Sequence, residues 1–131
     1  MPPLTIAMED WACSGAAPPD SRMFTLDKTD NPSAKHLPSE PAEIPVTDEL
    51  GIAKGGVRLP PVEVPMVRYS SAKGESPKAA PLEPAELTRR YGTPDNYRRL
   101  VSETVDRLIR DRFLPESART KFVADAEKVN W

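Results

Sequence analysis

Apolar residues recur at helical spacing through the C-terminal third of the chain, where Tyr97, Leu100, Val101, Thr104, Val105, Leu108 and Ile109 trace one face. Thr93 stands where an N-cap is needed. Pro94 follows at a position whose missing N–H is harmless, and Asp95 lies in the first turn, where the helix dipole favours an anion. The pattern predicts a helix running down to Phe113, where Phe113-Leu114-Pro115 breaks it. Arg99–Glu103, Glu103–Arg107 and Asp106–Arg110 are spaced to pair across successive turns of its outer face. A shorter helix is predicted from Leu82-Glu83-Pro84 to Tyr91-Gly92. A last one is predicted over 116–129, with Ala118, Phe122, Val123, Ala126 and Val129 on its apolar side. Tyr91, Leu100, Leu108, Phe113 and Phe122 are then expected to close an antiparallel helical hairpin within a C-terminal unit, 82–131.

At the opposite end, Leu4, Ala7, Met8, Trp11 and Ala12 make a second, shorter stripe, predicting a helix over 4–13 within an N-terminal unit, 1–15. Ser14-Gly15 is its stop. So short a helix is unstable alone in water, so its stripe must dock, with Trp11 as the expected anchor. Between the two ends the periodicity is lost. Residues 16–81 read as a proline-rich arm, in which Pro18-Pro19, Asn31-Pro32, Leu37-Pro38, Glu40-Pro41 and Ile44-Pro45 push the chain toward extended conformations. Residues 15–50 are expected to be the least structured part, either mobile or wrapped on a partner, and 70–80 to be a polar linker. Leu50-Gly51-Ile52 and Lys54-Gly55-Gly56 suggest turns.

The centre of this arm, 51–69, organises the reading. Val57, Leu59, Val62, Val64 and Met66 offer apolar side chains along a stretch cut by Pro60, Pro61 and Pro65. Proline has no N–H to give to a central ladder, so the expectation is a polyproline-like or edge ribbon. A ribbon cannot bury its own side chains, so it needs a platform.

Composition narrows the possibilities. Sixteen prolines and six glycines in 131 residues leave room for only a small core. Eighteen basic against twenty acidic residues, a net charge of −2, give no electrostatic footprint for nucleic acid or an anionic membrane. No apolar run is long enough to cross a bilayer, and Met1-Pro2-Pro3-Leu4 is not expected to open a signal peptide. The single cysteine, Cys13, excludes an internal disulfide, and a cytoplasmic setting is the expectation.

Catalytic chemistry is hard to assemble from these residues. His36, the single histidine, lies on a proline-rich tether without the rigid support a general base needs, and reads as a solvated loop residue. There is no G-x-S-x-G elbow and no phosphate-binding loop, since Lys54-Gly55-Gly56 lacks the spacing. Cys13 reads as a small side chain packed in its helix. Glu40, Glu43, Asp48 and Glu49 are a dispersed acidic stretch without cation-loop spacing, and Arg89-Arg90 and Arg98-Arg99 read as solvated helix faces. No cofactor and no metal is expected.

Three blocks nevertheless resemble, in order, the C-terminal tail region of a family of α/β-hydrolase-domain proteins. The first is Ala7-Met8-Glu9-Asp10-Trp11 with Gly15-Ala16-Ala17-Pro18-Pro19-Asp20-Ser21-Arg22. The second is Val46-Thr47-Asp48-Glu49-Leu50-Gly51 running through Gly55-Gly56-Val57-Arg58-Leu59-Pro60 and Val62-Glu63-Val64-Pro65 to Tyr69. The third is Tyr91 to Tyr97 and on through Phe113-Leu114-Pro115-Glu116. The resemblance implies an α/β-hydrolase setting, esterase-like in chemistry. The family's sheet, nucleophile elbow and triad have no counterpart among these residues, so no catalytic residue is carried over. After Tyr69 the chain departs from the family's Gly-Trp continuation to Ser70-Ser71-Ala72-Lys73, and the stretch between Arg22 and Val46 is shortened.

The expected fold is therefore mainly α, with long irregular, extended proline-rich segments and a C-terminal helical hairpin, as a piece of an α/β-hydrolase-like architecture. The expected function is that of a non-catalytic hydrolase-related fragment or small subunit packed on a larger protein partner, a hydrolase core or complex. Trp11, Arg58, Val62, Val64 and Tyr69 are its expected contact residues, and homo-oligomerisation is left open. A free-standing interaction or scaffold module, with 82–131 as its folded unit, is the alternative, and a small esterase-like hydrolase the third. Weak near-UV signal and low melting cooperativity are expected of the isolated chain.

Overall fold

A computed structural model describes residues 3–28, 43–70 and 78–131. His36 and the Asn31-Pro32, Leu37-Pro38 and Glu40-Pro41 steps lie outside the described residues. The elements are α1 (Pro3–Ser14), β1 (Leu26–Lys28), β2 (Glu43–Pro45), α2 (Pro60–Glu63), β3 (Val67–Ser70), β4 (Lys78–Pro81), α3 (Pro84–Tyr91), α4 (Pro94–Arg110), a 3-10 turn (Glu116–Ala118) and α5 (Arg119–Glu127). The protein is mainly helical. Among the described residues four strands form two separate antiparallel pairs, β1 with β2 and β3 with β4.

The C-terminal helices form where periodicity and capping place them. The Thr93 side chain accepts from the Asn96 N–H, with Pro94 opening α4 and Asp95 in its first turn. Proline likewise opens α3, and Gly92, at φ +76°, ends it. Tyr97, Val101, Thr104, Val105 and Leu108 are buried along α4, and α5 packs against it through Ala126, with Phe122 and Val129 partly covered. Tyr91, Tyr97 and Trp131 close the cluster with tilted ring contacts, their centroids 5.4–6.3 Å apart. Phe113 is not part of this core, because α4 ends at Arg110 and the chain turns through Arg112 at φ +65°.

The core crosses residue 81. Leu50, Ile52 and Val64 are buried in the same cluster as Leu82, Leu87, Tyr91, Val101 and Val105. The Tyr91 hydroxyl donates to the Pro65 carbonyl at 2.7 Å, tying α3 to the chain after α2.

Three expectations about the arm are corrected. Residues 51–69 are not a continuous ribbon: Pro60 and Pro61 open the helical turn α2, and Pro60 and Val64 are buried in the chain's own core. Leu59 is extended at φ −66°, ψ 160°, and the next residues turn helical at the same φ, which proline allows in both conformations. The linker expected at 70–80 is a strand at both ends, Ser70 pairing with Lys78 and Tyr69 with Ala79. In the stretch expected to be least structured, backbone bonds knit Thr25 to Lys54, Val46 to Thr25 and Lys54 to Val46 at 2.7–2.9 Å. Beside them, Gly55 at φ +79° runs so close to the chain that a Cβ would sit 2.6 Å from the Met23 carbonyl oxygen.

Candidate functional site

The residues singled out from the sequence fall into two sets. Arg58 and Val62 come together. The Arg58 guanidinium donates to the Ala53 and Val62 carbonyls at 3.0 Å each, lies 3.4 Å from the Asp48 carboxylate, and faces Glu63 at 2.9 Å. Glu63 in turn accepts from Arg107 of α4 at 2.9 Å. Arg58 is thus the hub joining the 48–53 turn, α2 and α4, with its side chain largely covered. Val62 is half-buried against the core and Val64 is inside it, so Val64 presents no surface to a partner in this arrangement.

Asp48 completes the hub. Burial pushes its carboxyl up. The N–H groups of Ile52 and Leu50, bonded to it at 3.0 and 2.9 Å, and the Arg58 guanidinium outweigh that and hold it below the usual carboxylate value. Glu49, expected to be solvated, reaches Arg90 at 2.5 Å, and Arg90 also grips Glu86.

The second set is open to solvent. Trp11, expected to anchor α1, is 59% exposed, as is Met8 beside it at 65%. The helix instead places Ile6 and Ala7 beside Ile109 and Leu114, with Ala7 buried. Cys13, expected to be packed, is exposed. Tyr69 is 39% exposed on β3; its N–H donates to the Leu50 carbonyl at 2.8 Å, and its ring is left on the surface.

Exposed apolar side chains continue beyond those foreseen. Met23, Phe24, Leu26, Val57 and Leu59 are all open. Phe24 bridges to Gly55 and the Gly56 N–H donates to the Met23 carbonyl, which brings Met23 and Phe24 beside the Val57 stretch. Met23, Val57 and Phe113 line a groove of about 450 Å³ together with Ala7, Pro18 and Pro19. Val57 and Leu59 were legible as apolar positions of the ribbon. Met23-Phe24-Thr25-Leu26 carried a signal too, an apolar run inside a polar, proline-rich stretch, but no periodicity to say what it faced.

Among the described residues no group of His, Cys, Asp and Glu gathers as a metal ion would require, and the carboxylates of the hub are held by arginines. No helix among them is long and apolar enough to cross a membrane. In comparison with known proteins, a family model described as an alpha/beta hydrolase domain matches residues 4–124. No curated protein and no solved structure matches the chain.

Proposed function

The chain belongs to the alpha/beta hydrolase domain family, and from that premise we propose that these residues serve as a non-catalytic part that packs on a hydrolase core of the same family. The observation that carries this is an open groove lined by Met23, Val57 and Phe113 on a molecule that also leaves Met8, Trp11, Phe24 and Leu59 exposed. Single exposed apolar residues are ordinary, but a contiguous set of large ones marks a contact surface. The strand pattern supports the same reading. A hydrolase sheet of this class is parallel and covered by crossover helices, whereas the described strands are three or four residues long and paired antiparallel. The sheet that would carry a nucleophile is then supplied by the partner.

Trp11 and Tyr69 keep their proposed roles as contact residues. Arg58 and Val62 act behind the surface, holding the 48–53 turn and α2 in place. The test is co-expression with a family hydrolase core from which the stretch equivalent to 4–124 has been deleted. The expected result is a stoichiometric complex in which the core regains turnover of an activated ester while the chain alone shows none. Ester turnover by the chain alone, or a core that neither binds the chain nor responds to it, overturns the proposal.

A further inference from the structure

Helix α1 is seated by very little apolar contact. Among its side chains that are described, Ala7 is buried and Ile6 half-buried, and the rest are exposed. Burial of one alanine contributes little, so among the described residues polar contacts carry much of the weight in holding the helix. The ties come from three consecutive residues just past α4. Arg112 donates to the Ala17 carbonyl at 2.5 Å and reaches the Asp10 carboxylate at 3.3 Å, so one side chain grips both α1 and the chain leaving it. Asp111 accepts from Arg22 at 2.5 Å, and the Arg22 guanidinium lies 4.7 Å over the Phe113 ring.

Two features make these ties easy to break. All are solvent-open: the paired side chains are 38% and 52% exposed for Arg112 and Asp10, and 40% and 30% for Arg22 and Asp111. Arg112 is also the one non-glycine residue at positive φ among those described, a conformation that costs a residue with a Cβ. Exposed ion pairs are weak and are screened within about 10 Å at 0.1 M salt.

We propose that α1, with the connection to Arg22, is a releasable arm, and that Asp111-Arg112-Phe113 is its clasp. The arm opens while the α3–α5 core stays folded. Opening frees Ile6 and Ala7 to join Met8 and Trp11 on the exposed surface of the helix. This is a property of the chain itself and holds whatever surface the arm then meets.

Amide hydrogen exchange on the full chain tests it. Arg112→Gly removes both grips while suiting the positive φ, so the variant is not expected to misfold. Residues 6–14 should exchange roughly 4- to 25-fold faster in it than in the wild type, with 97–108 unchanged, since each of the two lost exposed ties is worth a factor of about two to five. Wild-type chain in 1 M NaCl should move toward the variant over 6–14 only. Arg99→Gln, which removes an ion pair on the far side of α4, should leave 6–14 at the wild-type rate. Unchanged exchange over 6–14 in Arg112→Gly, an equal rise over 97–108, or indifference to salt would each overturn the clasp.

Discussion

Asp48 shows how one side chain can fix a turn that no periodicity announces. Its carboxylate accepts the Leu50 and Ile52 N–H groups and faces Arg58, so the turn closes on a charge. Its folded-state value is depressed below the ordinary 3.8, which means that its contribution is fully present above 3.8 and is lost as pH falls below it through the lower folded-state value. Asp48→Asn should therefore lower stability by about 1 kcal/mol at pH 7, and the gap between variant and wild type should close below pH 3.8 in urea titrations. A gap that persists unchanged in acid would show that the charge is not what matters. Three residues on, Gly51 holds φ +74° with the Tyr69 carbonyl directly over it. Gly51→Ala should destabilise by roughly 1–3 kcal/mol, since the methyl group meets backbone and the residue must keep a left-handed conformation. An alanine variant melting like the wild type would refute that contact.

The helices were legible because their signals are local, and the remainder was not because its signals are tertiary. For α3 and α4, the apolar spacing, the Thr93 cap and the proline starts lie within a single turn of the feature they specify. The charge pairs expected along α4 show where local reasoning stops. Arg99 does pair with Glu103, but Arg107 turns to Glu63 and Asp106 to Arg119 of α5. A partner on another element, already positioned by packing, displaces an i,i+4 partner worth only a few tenths of a kcal/mol. The same holds for α2. Proline at 60 and 61 fixes φ near a value common to polyproline and helix, so only ψ separates ribbon from turn, and ψ is set by the burial of Pro60 and Val64. The β1–β2 pair was invisible because three-residue strands are too short to alternate. Because α4 carries the core, Leu108→Ala, at a side chain 1% exposed, should cost about 2–5 kcal/mol by chemical denaturation, and a loss below about 1 kcal/mol would place the core elsewhere.

At the scale of the whole molecule, the sequence pointed to more apolar surface than the chain can hide, and the structure divides that surface in two. Val64 and Pro60 are inside, packed with α3 and α4, while Trp11, Val57 and Leu59 stay out. The buried half changes one expectation. Tyr91, Tyr97 and Trp131 hold one another in fixed, tilted contact, which should give the isolated chain a near-UV signal and a cooperative melt of the core. The open half should behave as surface. Met8, Trp11 and Met23 are 65%, 59% and 77% exposed, so replacing all three with serine should change unfolding free energy by no more than about 0.5 kcal/mol per site. The same triple variant should bind a solvatochromic apolar dye markedly less than the wild type and lose its complex with the hydrolase core. A loss of several kcal/mol in stability would instead make these side chains part of the fold's own support. Full retention of dye and core binding by a stable triple variant would place the contact surface on another face of the molecule.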